Sequence, residues 1–188
     1  VWNRGNSADT SVTDELVIRN DFTLTTANQI NTGPIVVKGS FTTTDSSVTG
    51  NAQLIFRGSG AQTANFNGFD IPNGLVTIDN SAGVTFVGTA SLNGSGQDIN
   101  VKTGNLTLSG GGLVVTDMIT LGAGNKLEIP SPYNVTAVRS TIDPTSIVKF
   151  APTTNSINDT IDLNKFTQTF GYLEINSSEI GDVYEFTK

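Results

Sequence analysis

The chain carries no histidine and no cysteine, so carboxylates, hydroxyls and amides must supply any chemistry it performs. Imidazole and thiolate catalysis are excluded, as are disulfides and His or Cys metal sites. A glycosidase needs two carboxylates at a set separation across its substrate. Here Asp45, Asp79, Asp98, Asp117 and Asp143 are scattered, often in turns. Aspartate favours turns because its side chain bonds the nearby backbone. Asp159 and Asp162 are close in sequence, yet Asn158-Asp-Thr-Ile-Asp-Leu163 also fits a turn and a strand edge. The expectation is that the chain is not an enzyme and that no residue is catalytic.

Other chemistries meet similar objections. Calcium takes oxygen ligands from Asp, Asn and carbonyls, and Asn20-Asp21 or Asn176 to Glu179 could contribute them. Neither stretch has the D-x-D-x-D-G spacing of a dedicated loop or a Gly-rich nonapeptide repeat. No residue is therefore assigned to a metal or a cofactor. Trp2 could stack on a sugar or simply cover the end of a core. Thr42-Thr43-Thr44, Thr23-Leu-Thr25 and Thr167-Gln-Thr169 invite an ice-ordering surface, but they do not recur at one fixed interval. Asn-x-Ser/Thr triplets stand at Asn105, Asn134, Asn158 and Asn176, and a chain this rich in Asn and Thr produces them by chance.

The elements that would position these residues are short strands. The central block, Leu54 to Gly94, pairs Leu54 with Phe56, Val76 with Ile78, Val84 with Phe86 and Ala90 with Leu92. Alternation puts every second side chain on one face. Between the pairs sit Gly-Ser-Gly, Asn-Gly and Asp-Asn-Ser-Ala-Gly, which suit tight turns. Upstream, Leu16–Ile18, Phe22–Leu24, Ile35–Val37 and Phe41 read the same way. Downstream come Ile99/Val101, Leu106/Leu108, Leu113/Val115, Ile119/Leu121 and Leu127/Ile129. Strand pairs every six to ten residues are too tight for βαβ units.

The expected fold is all-β: a β-solenoid of short stacked strands, with β-sandwich repeats as the alternative. The block recurs loosely at Ser146 to Lys188, where Phe150 answers Phe56, 94 residues on. Pro130 and Pro132 interrupt the pattern, and residues 134–145 are the least regular. These features divide the chain into a repeat unit over residues 1–130, with an irregular polar lead-in, and a second, partial unit over 131–188.

The net charge is −7, and the ten basic residues form no cluster. Nucleic acid is therefore not an expected partner, and neither is an anionic membrane surface. No apolar stretch is long enough to insert in a membrane. The start at Val1 reads as a piece of a longer or processed protein.

Phe56-Arg-Gly-Ser-Gly-Ala-Gln-Thr63 and Leu75-Val-Thr-Ile-Asp-Asn-Ser-Ala-Gly-Val-Thr-Phe86 resemble the repeats of large secreted surface proteins of Bacteroidota. Asn105-Leu-Thr-Leu-Ser-Gly110 and Tyr172-Leu-Glu-Ile-Asn-Ser-Ser178 are similar to parts of the same repeat. The resemblance implies an adhesin-like or filament-forming β-solenoid at the bacterial cell surface. Its expected partners are a glycan or other cell-surface ligand, and neighbouring repeats or copies end to end. A polysaccharide-processing β-helix and a phage or viral fibre segment are the alternatives.

Overall fold

Alternating apolar residues and Gly/Asn corners turn the chain into a stack of parallel coils. The computed structural model describes residues 15–25, 29–31, 33–44, 49–130, 135–151, 158–162, 171–175 and 183–187. Among them every helix-or-strand element is a strand. In chain order these are β1 (Leu16–Ile18), β2 (Phe22–Leu24), β3 (Pro34–Val37), β4 (Phe41–Thr43), β5 (Gln53–Phe56) and β6 (Gln62–Asn65). Next come β7 (Val76–Asp79), β8 (Val84–Val87), β9 (Ala90–Leu92), β10 (Ile99–Thr103), β11 (Asn105–Ser109) and β12 (Leu113–Leu121). The last are β13 (Lys126–Ile129), β14 (Val135–Ile142), β15 (Ile147–Phe150), β16 (Asn158–Asp162), β17 (Tyr172–Ile175) and β18 (Val183–Thr187).

Successive strands do not pair with each other. One sheet runs β1-β3-β5-β7-β10-β12-β14, and the second runs β2-β4-β6-β8-β11-β13-β15-β17, all parallel. Each coil therefore gives one strand to each sheet and pairs with the coil before and after it. This is a β-solenoid. β12 also pairs β9 through Leu113–Val115 before bending to pair β10 through Ile119–Leu121, which opens a third side. β16 pairs β18 in a separate two-stranded ladder.

The repeat is one coil. Register partners lie 19 residues apart from Leu16 to Ile35, 22 from Leu54 to Val76, and 25 from Val148 to Leu173. The two phenylalanines matched in the sequence do not stand in equivalent strands. Phe56 lies in β5 of the first sheet, whereas Phe150 lies in β15 of the second. Ladders also join strands on the two sides of residue 130, because β12 pairs β14 and β13 pairs β15.

Inward positions stack into one apolar core from Leu24 to Val148. Phe22, Phe41, Phe56, Phe66 and Phe86 form its aromatic part, with ring centroids 4.7–6.0 Å apart in tilted or edge-on pairs. Such pairs add to area burial through their quadrupoles. The first sheet also buries an outward row at Val36, Ile55 and Thr77, outside that core.

Corners are held by buried amides. Gln62 accepts from the Gly58 N–H and from Asn80 Nδ2, both at 2.8 Å, and donates to the Val37 carbonyl at 3.0 Å. Gln97 accepts from the Gly94 N–H and donates to the Pro72 carbonyl. Asn125 accepts from the Gly104 N–H and donates to the Val101 carbonyl. These bonds satisfy backbone groups that a corner takes out of the ladder. Gly104 is obligatory at its corner: its φ is +85°, and a Cβ there would collide with the Asn80 carbonyl.

Two strands were not expected from the sequence. β6 places Gln62 and Ala64 inward, so it lacks apolar alternation. β14 occupies the stretch read as least regular. Between Val115↔Ala137 and Met118↔Arg139, β12 spends two residues and β14 one, so the inward phase of β14 shifts from Val135 and Ala137 to Ser140 and Ile142. A strand that changes phase at a corner hides its alternation.

Phe86 is fully buried and touches two of the other rings. Phe86→Ala is expected to cost about 3–5 kcal/mol and to lower Tm by roughly 10 °C or more. Thermal and urea melts followed by circular dichroism check this, and a loss below about 1 kcal/mol would contradict the packing.

Candidate functional site

The structure scatters the candidate carboxylates and gives most of them local partners. Asp79 closes β7 and pairs with Arg57 at 3.2 Å and Lys102 at 3.3 Å, and Arg57 reaches on to Glu15 at 3.0 Å. Asp98 accepts from the Met118 N–H, and Asp117 accepts from Arg139 at 2.8 Å. Asp143 accepts from the N–H and hydroxyl of Thr145, the turn role anticipated for it. Of the calcium candidates, Asp21 accepts from the Ser40 N–H at 2.7 Å, and 176–179 lies outside the described residues. Among the described residues no three acidic groups gather as a metal site.

Other candidates are also placed. Trp2, Asp45, Asn134 and Thr167-Gln-Thr169 lie outside the described residues. Asp159, Asp162 and Asn158 fall in β16, whose side chains are not described. Asn105 is exposed on β11.

The outer face of the second sheet carries an aligned polar row. Thr63, Thr85, Thr107, Glu128, Lys149 and Glu174 stand one per coil in direct register. Parallel strands place such neighbours about 4.8 Å apart. Threonine does recur at a fixed interval, at Thr63, Thr85 and Thr107, which no local threonine cluster contains. After three threonines the row becomes ionic: Lys126 and Lys149 meet Glu128 at 2.8 and 3.2 Å. Burial opposes ionisation of Glu128, but both lysines together outweigh it and hold its carboxyl below the usual range. Burial likewise opposes Asp79, where bonds from Thr103, Lys102 and Arg57 prevail and also lower it. The hydroxyl and N–H of Thr145 lower Asp143.

A cavity of about 180 Å³ opens where the third side loses its ladder. The bridge Gln29↔Thr49 marks that side in an early coil, and β9 resumes it later. Between them residues 66–75 form no strand. Pro72 lies in this gap and has no N–H to give a ladder. Thr49, Asp70, Ile71, Asn73, Ser91 and Asn93 line the opening, drawn from successive coils. Gly94 makes room for the wall, because a Cβ there would meet Asn73 at 2.5 Å. Sequence reasoning missed all of these residues. Asn93-Gly-Ser95 is a further Asn-x-Ser triplet, but only stacking shows that it faces Asp70 and Asn73 across one opening.

No family model matches the chain, and no curated protein or solved structure matches it. No helix among the described residues is long and apolar enough to cross a membrane.

The lowered carboxyls set an acid limit. A carboxyl below its unfolded value stabilises the fold above the usual carboxyl range, and that stabilisation is lost as pH falls through the folded value. Tm is expected to hold between pH 7 and about pH 5 and to fall below about pH 4. Glu128→Gln should lower Tm at pH 7 by about 2 °C and make the acid limb shallower. An acid limb parallel to that of the parent chain would show that the Lys126–Glu128–Lys149 group contributes nothing.

Proposed function

We propose that this chain is a structural and interaction module of a large bacterial cell-surface adhesin or extracellular filament, acting as a rigid multivalent rod. The observation that carries this reading is the ladder, which keeps one parallel register from β2 to β17 over a continuous apolar core. Such a stack is stiff and repeats its surface once per coil. The outer face of the second sheet presents threonines and then paired charges at coil spacing. Many weak contacts along a rod add up through avidity without one strong site.

The resemblance of the Phe56–Thr63 and Leu75–Phe86 stretches to Bacteroidota surface repeats supports the extracellular placement. Partnered carboxylates support a binding role over polysaccharide cleavage, because Asp79, Asp98, Asp117 and Asp143 are each committed to a local bond. The edge at β17 supports end-to-end contact with another copy or neighbour. Among the described residues β17 has a ladder partner on one side only, and Leu173, in the inward row of Leu127 and Val148, remains 38% exposed. An unpaired strand edge of this kind accepts another strand.

Light scattering across a range of concentrations tests the reading, with circular dichroism run alongside. A β-rich monomer, or open-ended growth with concentration, is the expected result. A fixed trimer would overturn it in favour of a fibre segment.

A further inference from the structure

We propose that the cavity on the third side is a binding site for one neutral saccharide residue. This rests on the reading of the chain as a surface-interaction module and names the ligand class that the module takes. Four side chains at the opening, Asp70, Asn73, Ser91 and Asn93, make no side-chain hydrogen bond within the described protein. The contrast with the neighbouring corners is informative. Gln62, Asn80 and Asn125 at those corners, and Gln97 in the cavity wall itself, all spend their amides on the backbone or on each other. Here one carboxylate, two amides and one hydroxyl converge with their groups unspent. β9 adds a free edge, since its one ladder partner among the described residues is β12.

The chemistry of the lining selects the ligand. Sugar hydroxyls both donate and accept, so they suit a carboxylate beside amides and a hydroxyl. Ile71 is buried beneath the opening and closes its floor with apolar core rather than with a charge. An anion would meet Asp70 with no cationic side chain in the lining. A calcium ion needs six to eight oxygens, and Asp70 is the one carboxylate present. The volume of about 180 Å³ is below the ~300–1,000 Å³ of sites for drug-sized ligands, so it admits a single ring rather than a longer chain.

The test is a titration of the ¹⁵N-labelled 188-residue chain, followed by amide shifts, with glucose, galactose and mannose added separately. At least one hexose is expected to give saturable shifts at Asp70–Asn73 and Ser91–Gln97, with Kd of about 1 mM. Asp70→Ala and Asn93→Ala change exposed residues, so both variants should keep the parent spectrum elsewhere while weakening binding about tenfold. Linear shifts with all three sugars, saturable shifts away from the cavity, or binding unchanged in both variants would overturn the proposal. A saturable response of the cavity to calcium chloride alone, with none to sugar, would overturn it in favour of a cation site. Attachment of bead-bound chain to bacterial and host cells separates this from the module reading. A chain that attaches but ignores all three hexoses loses only the cavity proposal. A chain that binds a hexose but attaches to no cell loses the adhesion reading.

Discussion

Everything in this molecule depends on hydrogen bonds made from one coil to the next. Sequence neighbours such as β1 and β2 share no ladder, so no coil completes its own backbone bonding. Each coil is stable only because another of nearly the same shape lies on either side. Length within a coil can vary, from 19 residues to 25, provided the strands return to register. The variation is absorbed at the corners.

The corners are where polar chemistry enters the interior. A backbone that leaves the ladder exposes N–H and C=O groups, and an unpaired buried group is costly. Gln62, Asn80, Gln97 and Asn125 answer those groups from inside the stack. Their abundance explains why a chain so rich in amides and hydroxyls still has a well-formed core. The cavity is the same kind of corner, closed by Gln97 but with the amides of Asn73 and Asn93 unspent and a proline in place of a ladder donor.

The fold was legible wherever inward positions alternate without interruption. Val76/Ile78, Val84/Phe86 and Leu106/Leu108 read as strands from spacing alone and are strands. β6 was hidden by an inward glutamine, and β14 by its change of phase at a corner. The turn role of Asp143 was legible because an Asx turn is local. The partner of Asp117 was not, since Arg139 lies 22 residues away and one coil over. For the same reason the threonine row and the cavity lining were invisible: both are made of residues brought together by stacking. Only the coil period, which the sequence disguises by varying it, would have revealed them.

One more property follows from how the ladder is directed. Its bonds point along the stack, and each coil advances that stack by about 4.8 Å. The 22 residues from Leu54 to Val76 would reach about 75 Å if drawn straight. The folded rod thus holds about fifteen times its own length in reserve. A pull applied along its axis would meet the rungs one after another, so it would release chain in coil-sized steps and lengthen long before any covalent bond is loaded.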